Sequence, residues 1–161
     1  MPRSIYALSN QGGATSCAQN TTKTVLGVKS HANSGLLLLG FTIGFDGVTA
    51  ADKVIEVDIC YSTWATNSPG TSSTSISTIL QQGGRVLTAG FTAGYTWTAE
   101  PTALSVLWPL YIDPNKGEFI YDYPLGDEPD CALAEGFAIR VITPATMTTV
   151  NCYASMKVCR N

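Results

Sequence analysis

The chain has 161 residues, the length of one globular domain, and its nine Lys and Arg against twelve Asp and Glu give a net charge of −3. That balance excludes strong electrostatic binding to nucleic acid or anionic lipid, since binding either of them needs a basic protein surface. Only 13% of the residues are charged, against roughly 25% in an average domain. Much of the polar surface must come from 13 Ser and 20 Thr. Together with the Gly and Pro content, this composition predicts a soluble all-β domain.

The N-terminus carries one Arg, and no apolar run follows it, so we expect no signal peptide and synthesis in the cytoplasm. The longest apolar run, Leu36–Leu39, is far too short to span a membrane. We therefore expect no membrane partner and no nucleic-acid partner.

Strand patterns begin with Ser4–Leu8 and Thr22–Val28. The strongest pattern follows, where every second residue is large and apolar while Gly and Thr lie between. Its predicted core face consists of Leu37, Leu39, Phe41, Ile43 and Phe45.

The segment Lys53–Tyr61 alternates in the same way. Its predicted core face consists of Ile55, Val57, Ile59 and Tyr61. Glu56 and Asp58 are expected to face water, and Cys60 shares their outward parity.

The middle of the chain has weaker signals. Ser62–Ser77 is rich in Ser, Thr, Gly and Asn and predicts a long surface loop. Ile76–Gln82 predicts one or two helical turns that end at a Gly pair, and Val86–Thr98 is ambiguous. Ser105–Ile112 and Glu118–Tyr123, joined by a turn, predict a β-hairpin.

Two further strands end the chain. Phe137, Ile139 and Val141 alternate in the first of them. The second, Thr148–Val158, has one apolar face made of Val150, Cys152, Ala154, Met156 and Val158. With about eight short antiparallel strands, residues 1–161 are predicted to form a single jelly-roll-like β-sandwich domain.

Five Cys, at positions 17, 60, 131, 152 and 159, leave at least one thiol free or paired between chains. One interpretation is that they are reduced packing thiols. The other is that one or two disulfides form after release from the cell. Cys152 and Cys159 point to opposite faces of a regular strand, so a bond between them is not expected.

Catalytic and metal-binding patterns are weak throughout the chain. His31 is the only His and lies in a predicted loop, so a hydrolase triad is not expected. The clustered acids Asp127, Glu128 and Asp130 are typical of a solvated turn. The segment around Asp113 lacks the terminal Glu of a calcium loop. We predict no catalytic residue, no metal, no cofactor and no enzymatic activity.

Aromatic side chains offer a binding hypothesis instead. Trp108 lies within a predicted strand and is expected in the core, whereas Trp64 and Trp97 lie nearer loops. Aromatic residues in such places can stack on sugars or contact proteins. Exposure alone would not separate these two uses.

The chain resembles small β proteins found among bacteriophage structural genes. The segments that carry this resemblance, over most of the chain, are 6–10, 22–26, 38–48, 91–92, 98–102 and 136–141. The similarity is to head decoration, or cement, proteins, which sit on the outside of icosahedral capsids, commonly as trimers. It implies a homotrimer that binds between major capsid protein subunits on the virion exterior.

For such a role we expect residues 1–20 to include an N-terminal arm that reaches a neighbour. The predicted interface residues are Pro2, Arg3, Ser4, Ile5, Tyr6, Trp64 and Trp97. The alternative function is a carbohydrate-binding β-sandwich on a phage fibre or host-recognition appendage, suggested by the aromatic and hydroxyl content.

Overall fold

The computed structural model describes residues 4–10, 13–76, 80–82 and 88–161, with backbone alone at 80–82. These residues form thirteen β-strands and one short 3-10 turn, Pro114–Lys116. In chain order the strands are β1 Ile5–Ser9, β2 Thr15–Cys17, β3 Thr22–Lys29, β4 Leu36–Asp46, β5 Ile55–Ser62, β6 Ser73–Ser75, β7 Leu80–Gln82, β8 Thr92–Trp97, β9 Leu104–Ile112, β10 Phe119–Asp122, β11 Asp130–Cys131, β12 Gly136–Ile142 and β13 Val150–Arg160.

The strands form two antiparallel sheets that pack face to face, so the predicted β-sandwich is confirmed. The seven-stranded sheet has the order β10-β4-β13-β1-β7, with β11 on β4 and β2 on β13. The six-stranded sheet has the order β6-β8-β3-β12-β5-β9. Successive long strands alternate between the sheets except at β5 and β9, which are neighbours in the six-stranded sheet. This arrangement is the connectivity of a jelly roll for eight strands, namely β1, β3, β4, β5, β9, β10, β12 and β13.

The core lies between the inner faces of the two sheets. The alternation predicted for β12 and β13 is confirmed, since Phe137, Ile139 and Val141 are buried. So is the whole predicted face of β13, namely Val150, Cys152, Ala154, Met156 and Val158. A strand points alternate side chains to opposite faces, and burial of one face selects this register.

The predicted core face of β4 is wrong in its first half. Leu36 and Leu38 are buried there, whereas Leu37 and Leu39 are only partly buried. Further on, Phe41 and Ile43 are buried, as predicted. The parity changes at a β-bulge, because Val158 pairs with Leu38 while its neighbour Lys157 pairs with Gly40. Leu39 is the extra residue, and an extra residue shifts every following side chain to the other face.

In β5 the predicted inner face is confirmed for Ile55, Val57 and Ile59, which are fully buried, whereas Tyr61 is only partly buried against the core. The expectation that Asp58 faces water is wrong, since Asp58 is only 1% exposed. Cys60, on the same outward parity, is also buried. The outer face of the six-stranded sheet is therefore covered over part of its area.

The predicted hairpin of β9 and β10 is also wrong. β9 pairs with β5 in one sheet, and β10 pairs with β4 in the other. Trp108 and Tyr121 instead meet across the gap between the sheets, with their ring centroids 4.7 Å apart. The turn between these strands thus crosses from one sheet to the other, because both strands carry an aromatic face that needs burial.

The connection from β5 to β9, residues 63–103, adds strands to both sheets on the opposite side. In the six-stranded sheet β8 pairs with β3, and β6 pairs with β8. In the seven-stranded sheet β7 pairs with β1. The helical turns predicted over Ile76–Gln82 are therefore corrected at Leu80–Gln82, which is a strand. Ile76 lies outside the strands, and residues 77–79 lie outside the described residues.

All five cysteines are free and buried, which agrees with the packing-thiol interpretation. Burial raises the pKa of Cys17 to about 12 and that of Cys60 to about 12. Burial also raises the pKa of Cys152. These groups are therefore neutral thiols near pH 7.

The raised pKa of Cys60 predicts a loss of stability in alkali. The folded pKa of about 12 lies above the ordinary value of 9.0. The thiol therefore stabilises the fold fully below pH 9, and this contribution is lost as pH rises towards 12. Urea titrations would give the free energy of unfolding of the parent and of Cys60→Ala. The parent value minus the variant value should become smaller between about pH 8 and about pH 11. A constant difference would contradict this account.

Candidate functional site

The predicted N-terminal site residues do not form a free arm where the structure describes them. Ser4 precedes β1, and Ile5 and Tyr6 lie in β1, which is paired on both sides by β13 and β7. Tyr6 is 1% exposed and meets Phe91 edge to face, with ring centroids 5.3 Å apart. Pro2 and Arg3 lie outside the described residues. The arm hypothesis is corrected for residues 4–10, because a strand paired on both sides is part of the sheet.

Trp64 and Trp97, the other predicted interface residues, are brought together but are buried. Their rings stack with centroids 6.0 Å apart and an angle of 9° between planes. Trp64 donates from Nε1 to the Val28 carbonyl at 3.0 Å, and Trp97 donates to the Asn67 carbonyl at 2.7 Å. Both side chains are less than 5% exposed, so they offer no platform to a sugar or a protein.

The tryptophan pair packs on the outer face of the six-stranded sheet, in one cluster with Cys60 of β5 and Ala138 of β12. Gly27 in β3 makes room for it, because a Cβ there would lie 2.7 Å from the Trp64 ring and 2.8 Å from the Trp97 ring. A glycine inside a strand can mark the close approach of another group. Gly27 was therefore the sequence signal that could have indicated the buried tryptophan pair.

Next to this cluster, an ion pair between the buried Asp58 and the partly exposed Arg140 occupies the same face. Arg140 donates from Nε and Nη2 to a single oxygen of Asp58, at 3.1 and 2.6 Å. Glu100 approaches from the covering segment and accepts from the Thr24 backbone at 2.8 Å. Glu100 therefore ties the covering segment to β3, while the Asp58–Arg140 pair joins β5 to β12 within the sheet.

His31, Glu128 and Asp113 each accept a hydrogen bond from the backbone of their own turn. His31 is exposed, and its Nδ1 accepts from the Asn33 backbone at 3.2 Å. Glu128 accepts from the Gly126 backbone at 2.6 Å within its own turn. Asp113 accepts from the Asn115 backbone at 3.0 Å and begins the 3-10 turn.

In the part of the chain that the structure describes, no group of three or more His, Cys, Asp or Glu is placed to hold a metal ion. Within the same residues, no helix is long and apolar enough to cross a membrane.

A different surface has the features of a contact site, and we call it the β9–β10 edge, residues 104–135. β9 and β10 are the outermost strands of their sheets on the same side of the sandwich. β11 continues along β4 beside β10. Most of the large apolar side chains that the described residues expose belong to this edge, namely Val106, Leu107, Tyr111, Ile120, Leu125 and Leu133. Sequence analysis missed this edge because the hairpin interpretation placed both strands in one sheet.

Charge is also concentrated at the β9–β10 edge. Seven of the twelve acidic residues but only one of the nine basic residues lie within 104–135. The acids are Asp113, Glu118, Asp122, Asp127, Glu128, Asp130 and Glu135. Asp122 is paired with Lys157 at 2.8 Å. The edge is thus strongly acidic, while the rest of the chain has an excess of basic residues.

The β9–β10 edge rests on a packed aromatic layer. Phe41 contacts Phe119, Tyr121 and Trp108, with ring centroids 5.8 to 6.2 Å apart. Tyr121 and Tyr123 meet edge to face at 5.0 Å. Such packing holds both edge strands in place, so the exposed side chains need little ordering when a partner binds.

Comparison of this chain with protein-family profiles, curated proteins and solved structures finds no match.

The buried tryptophans predict a loss of stability on truncation. Trp64→Ala or Trp97→Ala should each lower the free energy of unfolding by about 3–5 kcal/mol. The matched control Tyr111→Ala removes an aromatic ring that is 69% exposed and should change stability by no more than about 0.5 kcal/mol. Chemical denaturation measures all three, and tryptophan variants as stable as the control would contradict the described packing.

Deletion of residues 2–6 tests the position of β1. The deletion removes the buried Tyr6 ring and its backbone pairing with Val158. The free energy of unfolding should therefore fall by about 3 kcal/mol or more. An unchanged melting temperature would instead restore the arm hypothesis.

Proposed function

We propose that this chain is a non-enzymatic structural protein that decorates a bacteriophage capsid and binds between major capsid protein subunits through the β9–β10 edge. The observation that carries the proposal is the concentration of exposed apolar side chains and acidic groups on this one edge. Exposed apolar patches rimmed by polar groups mark interaction sites. The jelly roll is a fold used by viral capsid proteins and lectins, which agrees with the proposal at the level of analogy.

The edge favours a partner surface that is basic and carries apolar groups. Complementary charge would steer the encounter, and the apolar side chains would supply the buried centre of the contact. Edge strands can also recruit a further strand, but Pro109 in β9 and the short length of β10 oppose open-ended pairing. These features favour a side-chain contact with a defined partner over fibre formation.

Decoration would stabilise the particle by mass action. A protein that binds the assembled lattice but not free subunits shifts the equilibrium towards the lattice. The homotrimer that the resemblance implies would multiply weak contacts through multivalency. In this proposal the chain is made in the host cytoplasm and joins the capsid exterior.

The alternative of carbohydrate binding rests on the aromatic and hydroxyl content, and it loses Trp64 and Trp97 as stacking residues because both are buried. Most of the aromatic side chains with ring contacts pack between the two sheets or in the buried tryptophan pair. Support for a sugar site must therefore come from another part of the surface.

Binding to undecorated heads tests the proposal. Ile120→Lys and Leu125→Lys alter side chains that are 62% and 85% exposed, so both variants should remain folded. Each should weaken cosedimentation with heads about ten-fold or more, since a positive charge would enter the apolar contact and would face a basic partner surface. Val54→Lys, also on an exposed apolar side chain but away from the edge, is the matched control and should bind as the parent does.

Light scattering of the purified protein gives the oligomeric state. A monomer that ignores heads would overturn the proposal. Edge variants that occupy heads as fully as the parent would show that another surface makes the contact.

A further inference from the structure

A cleft lies at one end of the sandwich, away from the β9–β10 strands themselves. Three connections meet there: β4 to β5, β9 to β10, and β12 to β13. The cleft has a volume of about 720 Å³, within the range of small-molecule sites. We call it the end cleft, and its lining includes Asp52, Lys53, Val54, Asp113, Asn115 and Pro144.

The walls of the end cleft are fixed by hydrogen bonds between connections. Asp52 accepts from the backbone of Thr49 at 2.6 Å, and from the backbone and hydroxyl of Thr148 at 2.9 and 2.8 Å. These donors, the Thr148 backbone first, lower the pKa of Asp52. The carboxylate therefore ties the first connection to the third, and the cleft is formed before any ligand arrives.

The connection between β9 and β10 is fixed by contacts within its own turn. One oxygen of Asp113 accepts from the Asn115 backbone at 3.0 Å, and Pro114 is buried at the start of the turn. The Asn115 amide and the Lys53 ammonium have no side-chain partner among the described residues. An amide, an ammonium and a carboxylate oxygen are thus left to meet a ligand, beside the half-exposed apolar side chain of Val54.

The chemistry of these groups favours a neutral ligand with several hydroxyls. An anion would face two carboxylates, Asp52 and Asp113, with only Lys53 to offset them. A metal ion is disfavoured because the oxygens of Asp52 already accept three hydrogen bonds. A hydroxyl both donates and accepts, so vicinal hydroxyls can pair with the free carboxylate oxygen, the amide and the ammonium together.

We propose that the end cleft binds a neutral saccharide, with Asp113, Asn115 and Lys53 pairing with its hydroxyls and Val54 contacting its apolar face. The cleft shares the turn 113–117 with the β9–β10 edge, but Ile120 and Leu125, which are proposed to contact the capsid, do not line it. It would give a particle-bound protein a second, sugar-binding surface.

Titration of the full chain with methyl glycosides tests the proposal. Amide chemical shifts would be followed by NMR with the methyl glycosides of glucose, galactose, mannose and N-acetylglucosamine. Shifts in residues 50–54 and 113–117 with at least one glycoside are expected. Glucose 6-phosphate and calcium chloride are the competing probes, and tighter binding of either would overturn the proposal.

Two variants and one control locate the site. Asn115→Ala keeps the backbone N–H that Asp113 accepts, and Lys53→Met keeps a side chain of similar length. Each should weaken glycoside binding about ten-fold, the loss of one good hydrogen-bonding group. Lys116→Met lies in the same turn but does not line the cleft, and it should bind as the parent does.

Melting temperatures establish that the variants are folded, and cosedimentation with heads should be unchanged in Lys53→Met, which lies outside the β9–β10 edge. Shifts that persist undiminished in Asn115→Ala and Lys53→Met would overturn the site, as would the lack of a shift with every glycoside. Capsid binding without glycoside binding would therefore count against the end cleft alone.

Discussion

The fold depends on the pairing of its last strand, β13, within the middle of the seven-stranded sheet. β13 pairs with β4 over its whole length and with β1 on its other side. Its inner face supplies five buried side chains to the core. The final strand lies between β4 and β1, which come from the first third of the chain. The seven-stranded sheet is therefore complete only when these distant segments meet.

Covering the outer face of the six-stranded sheet is the second constraint. The segment 63–103 places the stacked Trp64 and Trp97 over Gly27, and the Asp58–Arg140 pair lies beside them. This arrangement removes two aromatic rings and the Asp58 carboxylate from the surface. What is left exposed is poor in charge except along the β9–β10 edge, where acids and apolar side chains occur together.

The two proposed surfaces use different properties of one scaffold. The β9–β10 edge exposes large apolar side chains among acidic groups, which suits contact with another protein. The end cleft is lined by the Asn115 amide and the Lys53 ammonium beside an Asp52 carboxylate held by hydrogen bonds, which suits a small polar ligand. The side chains proposed to contact a partner or a ligand, such as Ile120, Leu125, Lys53 and Asn115, are exposed, so each can be altered without removing the core.

The sequence by itself determined the all-β class, the jelly-roll-like sandwich, the inner faces of β12 and β13, and the low charge. These follow from alternation and composition, which are properties of a local extended chain. Only the tertiary structure decided the parity of β4, since the bulge at Leu39 depends on its partner strand. It also decided that β9 and β10 lie in different sheets and that Trp64 and Trp97 are buried. The reason is that strand partners, and the segments that cover an outward face, come from distant parts of the chain, and local alternation carries no information about them.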